Sequence, residues 1–258
     1  MKISKVTAVY FSPTAGTAQY VKAIAEELAA DYGEINLTMP SVRTGEYNFG
    51  SDELVVFGAP VYAGRLPALQ GGLFEKIHGQ NTPAVFNVSY GNREFDDALL
   101  EMKDICEANG FKGIAAGAWL AQHTYTAKVA GGRPTAEDLA DAKKFAQEVK
   151  ELLSKPTAEL KVPGNRPYRD AKAMPVHPEA GENCEQCGLC AEVCPTGAID
   201  AANPKTAEGD LCLNCLACVK HCPRQARKID HPMFREVQAK LEKNLAGLHK
   251  NPQTFLAE

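Results

Sequence analysis

The chain has 258 residues, 45% of them hydrophobic and 23% charged, a balance that supports one large domain or two unequal ones and excludes disordered and fibrous material. A formal net charge of -4 and the absence of any Lys/Arg run give no broad electrostatic reason to bind nucleic acid. No apolar run approaches the roughly 18 residues of a membrane span, and residues 1–10 enter strand-like sequence at once, without the apolar stretch and cleavage site of a secretory signal; a cytoplasmic protein is expected.

Residues 1–154 alternate short β-rich runs with longer stretches of helical periodicity, the pattern of an α/β fold. Strands are expected at Lys5–Phe11, Ile35–Thr38, Glu53–Gly58, Pro83–Ser89 and Gly113–Leu120. All but the second are nearly continuous apolar runs, which suits strands covered on both faces. Val21, Ile24 and Leu28 space the buried face of a first helix, and Phe95, Leu99, Met102 and Ile105 that of a later one. A short helix is expected over Gln70–Ile77. Leu139, Ala142, Ala146, Val149 and Leu153 mark a last helix, which Thr135 with Asp138 starts. Prolines at 156, 163, 167, 175 and 178 make residues 155–180 an extended linker along the first domain. A cysteine-rich domain spans residues 181–230, and in the tail, residues 231–258, Phe234, Val237, Leu241 and Leu245 recur at helical spacing and are expected to pack back onto the protein.

Eight of the nine cysteines fall within residues 184–222. Cys184, Cys187, Cys190 and Cys194 have the spacing C-x2-C-x2-C-x3-C before Pro195, and Cys212, Cys215, Cys218 and Cys222 repeat it before Pro223, each at an offset of 28 residues. In a chain without an export signal this clustering favours metal over disulfide chemistry. Structural zinc also uses paired C-x2-C motifs, but it does not need a third cysteine, then a fourth before proline, twice over. The region 181–230 resembles the bacterial-type two-cluster ferredoxins at all eight ligand positions and both prolines. In that family the fourth cysteine of each run ligates the other cluster. The resemblance therefore implies two 4Fe-4S clusters, one held by Cys184, Cys187, Cys190 and Cys222, the other by Cys212, Cys215, Cys218 and Cys194.

Directly after the first strand, Ser12-Pro13-Thr14-Ala15-Gly16-Thr17 leads into a helix. A hydroxyl-rich loop at a helix N-terminus presents several donors to one point, which suits a phosphate without any lysine or arginine. The segments Pro60-Val61-Tyr62-Ala63-Gly64 and Tyr90-Gly91-Asn92-Arg93 follow the third and fourth strands. In a doubly wound sheet of order 2-1-3-4-5, the carboxyl ends of strands 1, 3 and 4 surround the switch-point crevice. Together these segments resemble the flavodoxin-ferredoxin fusion family over nearly the whole chain. The resemblance implies a flavodoxin-like domain that binds FMN: Ser12, Thr14, Ala15, Gly16 and Thr17 at the phosphate, Pro60, Val61, Tyr62, Ala63, Gly64, Tyr90, Gly91, Asn92 and Arg93 around the isoalloxazine. The flavodoxin loop usually has Gly, and often Asn, where this chain has Ala15 and Gly16. Tyr62 or Tyr90 is a candidate to stack on the ring.

Four further side chains admit two readings each. Arg65 and Arg93 form surface ion pairs or face a reduced flavin or a partner; Asp97 is a helix-start carboxylate or a flavin acceptor; His123 is a hydrogen-bonded loop histidine or a proton donor. Cys106 reads as a small buried hydrophobe. No G-x-G-x-x-G follows any strand, so no Rossmann nicotinamide site is expected. The expected function is an iron-sulfur flavoprotein of anaerobic metabolism that transfers electrons between a redox partner protein and FMN through its clusters. The alternative is a flavin-dependent oxidoreductase reducing a quinone, an enoate or a nitro compound. A redox sensor is a third class, for which no DNA-binding segment or output domain is left over.

Overall fold

Successive side chains of a strand leave opposite faces of the backbone, so a continuous apolar run is stable only where both faces are covered. The computed structural model describes residues 2–156, 158–171 and 174–258. In chain order the elements are β1 (Lys5–Tyr10), α1 (Gly16–Leu28), β2 (Gly33–Asn36), α2 (Pro40–Arg43), β3 (Tyr47–Phe49), β4 (Glu53–Pro60), β5 (Ile77–Gly79), β6 (Thr82–Tyr90), α3 (Ala98–Ala108), β7 (Phe111–Leu120) and α4 (Ala136–Leu152). There follow β8 (Glu179–Ala180), α5 (Leu189–Glu192), a 3-10 turn at Gly209–Leu211, α6 (Ala217–Lys220), β9 (Arg227–Lys228), α7 (Pro232–Leu245) and β10 (Gln253–Leu256).

The main sheet runs β10-β7-β6-β4-β1-β2, parallel throughout except for β10, which pairs antiparallel with β7. Leaving β10 aside, the core strands stand in the order 2-1-3-4-5, the flavodoxin-like doubly wound arrangement. Val6, Ala8 and Tyr10 pack with Val21, Ile24, Phe145 and Val149 of α1 and α4 on one face. Val9 and Phe11 join Phe57, Phe86, Leu99 and Met102 on the other. Gly58 lets α1 settle on β4, since a Cβ there would lie 2.2 Å from Val21 Cγ2. The start of α4 is a reciprocal capping box, with Thr135 Oγ1 accepting the Asp138 N–H at 3.2 Å and Asp138 Oδ2 accepting the Thr135 N–H at 2.7 Å.

Two expectations are corrected. The segment Gln70–Ile77 is not a helix: Gly71 and Gly72 sit at φ +79 and +76, a left-handed pair no right-handed helix continues through, and Ile77 begins β5, which pairs with β3. The second strand ends at Asn36 instead of reaching Thr38, whose hydroxyl accepts the Ser12 N–H at 2.9 Å. On α3 Cys106, 1% exposed, is buried as expected, and Ile105 packs half-buried against the same core.

The proline-rich stretch after α4 is extended and fastened along α3. Leu160 is buried in the core. Asp97, 1% exposed, accepts the Asn165 N–H at 2.8 Å, its side-chain amide at 3.1 Å and the Arg169 N–H at 2.7 Å. Arg166 and Tyr168 both reach Asp104. At the far end, Phe234 of α7 is buried against Tyr125, ring centroids 5.1 Å apart. Beyond it β10, unforeseen in the sequence, closes onto β7. Among the described residues no helix is long and apolar enough to cross a membrane.

Candidate cofactor cleft and paired cysteine cavities

The carboxyl ends of β1, β4 and β6 lie side by side in the sheet. The loops that follow them converge on a cleft of about 530 Å3, inside the roughly 300–1,000 Å3 typical of small-molecule sites. Ser12, Thr14, Gly16, Thr17, Pro60, Val61, Tyr62, Ala63, Tyr90, Gly91 and Arg93 line it. Ala15, Gly64 and Asn92 do not, and each has a structural role nearby.

Ala15 is the residue before α1 and takes φ +65, a left-handed conformation at the position where glycine or asparagine is the easier choice. Ser12 Oγ accepts the Ala18 N–H at 3.0 Å, which leaves the first-turn N–H groups of Gly16 and Thr17 without an intrahelical acceptor at the positive end of the helix. The Thr17 hydroxyl shares a 2.7 Å hydrogen bond with Ser89, and Thr14 is a half-buried loop residue at the rim. This is a donor set suited to an anion.

In the second loop, Tyr62 and Arg65 exchange two backbone hydrogen bonds of 3.0 Å around Ala63 and Gly64, both at positive φ. Gly64 serves this turn and accepts the Asp97 N–H at 3.0 Å. In the third loop, Asn92 is fully buried and donates to the Leu248 carbonyl at 2.9 Å, tying the end of α7 to the cleft's edge. Gly91 leaves room for His123, whose ring would stand 2.5 Å from a Cβ at that position. Arg93 lines the cleft and pairs with Asp96. Arg65 instead turns away, in a bidentate pair with Glu101 at 2.7 Å and over the Tyr168 ring at 4.5 Å, and Asp97 faces the linker, so neither meets the cleft.

His123 and Tyr125 complete the wall. Burial, with the Arg93 charge, lowers the His123 pKa from 6.5 to about 4. Its Nδ1 accepts the Tyr125 N–H at 3.1 Å, so the neutral ring carries its proton on Nε2. Burial pushes the Tyr90 phenol up to about 12, and its buried hydroxyl has no partner among the described residues.

Residues far along the chain finish the cleft: Leu213, Asn214, Val237 and Leu241. No sequence signal pointed to the first two, the spacer residues between Cys212 and Cys215. Asn214 is 5% exposed; its amide donates to the Met174 carbonyl at 2.9 Å and its Oδ1 has no partner among the described residues. The cleft thus holds a buried orphan hydroxyl and a buried orphan acceptor, a lining that fits a polar ring system.

The eight run cysteines ring two smaller cavities of about 20 Å3 each. Cys184, Cys187, Cys190 and Cys222 line one; Cys194, Cys212, Cys215 and Cys218 line the other. Each run thus gives three thiols to one cavity and its fourth to its neighbour's. The backbone repeats with the sequence: α5 and α6 are equivalent four-residue turns, Gln186 and Asn214 both take φ +55, and Gly188 and Leu216 take +80 and +58. The Ala226 N–H donates to Cys222 Sγ at 3.3 Å. Burial raises Cys215 to about 12 and Cys218 to about 11, which favours the protonated thiols.

The cleft and the second cavity share a wall, since Leu213 lines both. Burial raises the phenols of Tyr62 and Tyr125, and the thiol of Cys215 lies close enough to both to add to the shift.

Residues 181–200 match the family described as the 4Fe-4S binding domain, which makes this stretch a site for at least one 4Fe-4S cluster. None of the curated proteins compared with the chain matches it. Among solved structures it is similar to a flavodoxin from the domain Archaea, at 15% identity and a TM-score of 0.41, over 58% of this chain and 99% of that one. It is also similar to the oxidised flavodoxin 2 of Bacillus cereus, at 15% identity and a TM-score of 0.39, over 57% and 99% of the two chains. A third likeness is to the apo form of an NADH:FMN oxidoreductase, at 11% identity and a TM-score of 0.41, over 59% of this chain and 90% of that one.

Proposed function

We propose that this chain is an iron-sulfur flavoprotein that relays electrons between a redox partner protein and FMN by way of two 4Fe-4S clusters. The observation that carries the reading is the shared wall: the loop between Cys212 and Cys215 borders both the cleft and the second cysteine cavity. FMN, when bound, handles electron pairs, and the clusters pass electrons singly. The N–H groups of Gly16 and Thr17, with the Thr14 hydroxyl, hold the phosphate. Tyr62 and Tyr90 would flank the ring, and Asn214 Oδ1 would accept a hydrogen bond from a ring N–H. Cys184, Cys187, Cys190 and Cys222 hold one cluster; Cys194, Cys212, Cys215 and Cys218 hold the other, beside the cleft.

Anaerobic purification followed by iron, sulfide and flavin analysis tests the cofactor assignment, for which roughly eight irons and one flavin per chain are expected. The ligand sets are tested by paired substitutions. Cys194→Ala with Cys212→Ala harms one cluster, whereas Cys194→Ala with Cys184→Ala harms both. If the second pair spares one complete cluster by iron analysis and EPR, each run binds its own cube and the assignment fails. A second reading, direct reduction of a small substrate, draws on His123, a neutral Nε2–H donor in the cleft wall. Turnover of quinones, enoates or nitro compounds without any protein acceptor favours that reading over the relay.

A further inference from the structure

The 28-residue repeat is broken at one buried position. Ile199, five residues after Cys194, is 5% exposed; its equivalent, five residues after Cys222, is Arg227, 2% exposed. Among the described residues no carboxylate is recorded within ion-pair range of Arg227. Its guanidinium instead donates to the carbonyls of Pro178, at 2.7 Å, and of Pro204, and from Nη1 to Cys190 Sγ at 3.7 Å. Its Nε is buried without a partner among the described residues. Arg227 lines the first cysteine cavity and not the second. One buried cation therefore touches the first thiol set.

An unpaired buried guanidinium is costly unless a negative group compensates it. Two carbonyl dipoles do so only in part. A cube held by four thiolates supplies the missing negative charge, and N–H donors to its sulfurs are among the levers that set its potential. Because reduction adds a negative charge, a nearby cation and a hydrogen bond to thiolate sulfur both favour the reduced form.

We propose that Arg227 tunes the first cluster site, raising the potential of the cluster held there above the one that the repeat would give with isoleucine at this position. The proposal rests on the cluster assignment above and concerns tuning, not ligation.

The test is an EPR-monitored redox titration of the anaerobically purified protein and of Arg227→Gln, Arg227→Ile and Arg227→Lys, each with its iron content measured. With full iron, Gln and Ile lower the midpoint potential of the cluster beside Arg227, and Lys, which keeps the charge but loses the planar fork, lowers it less. Full iron with unchanged potentials in Gln or Ile overturns the proposal. Where a variant loses iron, the wild-type protein labelled with 15N-guanidino arginine decides: pulsed EPR of the reduced cluster beside Arg227 shows a nitrogen coupling if Arg227 donates to its sulfurs, and the absence of that coupling overturns the proposal. Loss of one entire cluster from the wild-type protein itself would instead refute the underlying assignment.

Discussion

Replacing Asp97 with alanine releases the linker from α3. The carboxylate is 1% exposed and takes three hydrogen bonds, two from Asn165 and one from the Arg169 N–H. Bonds to a charged acceptor are worth about 1.5–3 kcal/mol each, but they are not additive, and water replaces part of what the half-exposed linker loses, so about 3 kcal/mol is expected for the set. At 1.4 kcal/mol per tenfold, the amides of Asn165 and Arg169 then exchange with solvent about a hundredfold faster in the variant. Hydrogen exchange of the holoprotein, followed by mass spectrometry of peptides spanning residues 163–169, reads this directly. Asp97→Asn keeps the shape and one acceptor and loses less. Arg166→Ala removes only a partner that is 61% exposed and leaves the two amides protected. Unchanged exchange in Asp97→Ala would show that the linker is held by something other than this carboxylate. The same site has a pH signature. Burial alone would raise the Asp97 pKa, but the Arg169 and Asn165 donors outweigh it and bring it below the ordinary value. The strap is therefore fully present above the unfolded pKa of about 4 and is lost as pH falls through the lower folded value.

His123 has the same sign with a larger window. Its folded pKa of about 4 lies below the unfolded 6.5, so the unfolded chain takes up a proton first and stability falls as pH drops between these values, by about 2 kcal/mol at pH 5. Denaturation of the wild type and His123→Gln at pH 7.5 and 5 measures it, and parallel losses in the two proteins would exclude it. Thr14→Val weakens flavin binding on the order of tenfold or more through loss of a hydroxyl bond to a charged phosphate, at constant iron content; fluorescence titration of flavin into flavin-free protein is the readout. Gly91→Ala drives a Cβ to within 2.5 Å of the His123 ring, so it displaces the histidine and lowers flavin affinity while the far-ultraviolet circular dichroism stays native.

Sequence and structure agree where local chemistry decides. The apolar runs of β1, β4, β6 and β7 admit no reading but strands covered on both faces, and Thr135 with Asp138 specifies the start of α4 because the cap is complete within four residues. The cysteine runs are legible because metal chemistry fixes their spacing. Elsewhere a partner distant in sequence decides. Leu73, Phe74 and Ile77 mimic a helix stripe, but Gly71 and Gly72 turn the chain and β3 captures Ile77 as a strand. Gln253–Leu256 has no pattern of its own and becomes β10 only because β7 offers an open edge. Arg65 and Asp97 sit beside the candidate loops in sequence yet serve Glu101 and the linker. Leu213 and Asn214 enter the cleft only because α7 and the cysteine runs fold back over it.

The return of the chain through β10 changes how the cysteine-bearing part is attached. The Ala158 N–H donates to the Ala257 carbonyl at 3.0 Å, and the Ala257 N–H in turn donates to the Ile114 carbonyl of β7. The chain thus leaves the sheet's edge near residue 158 and rejoins it through β10, with the Ala158–Ala257 hydrogen bond closing the excursion. It is topologically an insertion near the sheet's edge, gripped at both ends, and not a module on a tether. A tethered carrier samples many distances and must dock before each transfer, whereas an inserted one keeps its orientation as a property of the fold. Separation between the second cysteine cavity and the cleft is then set when the chain folds, and lengthening the linker leaves it nearly unchanged as long as β10 stays paired.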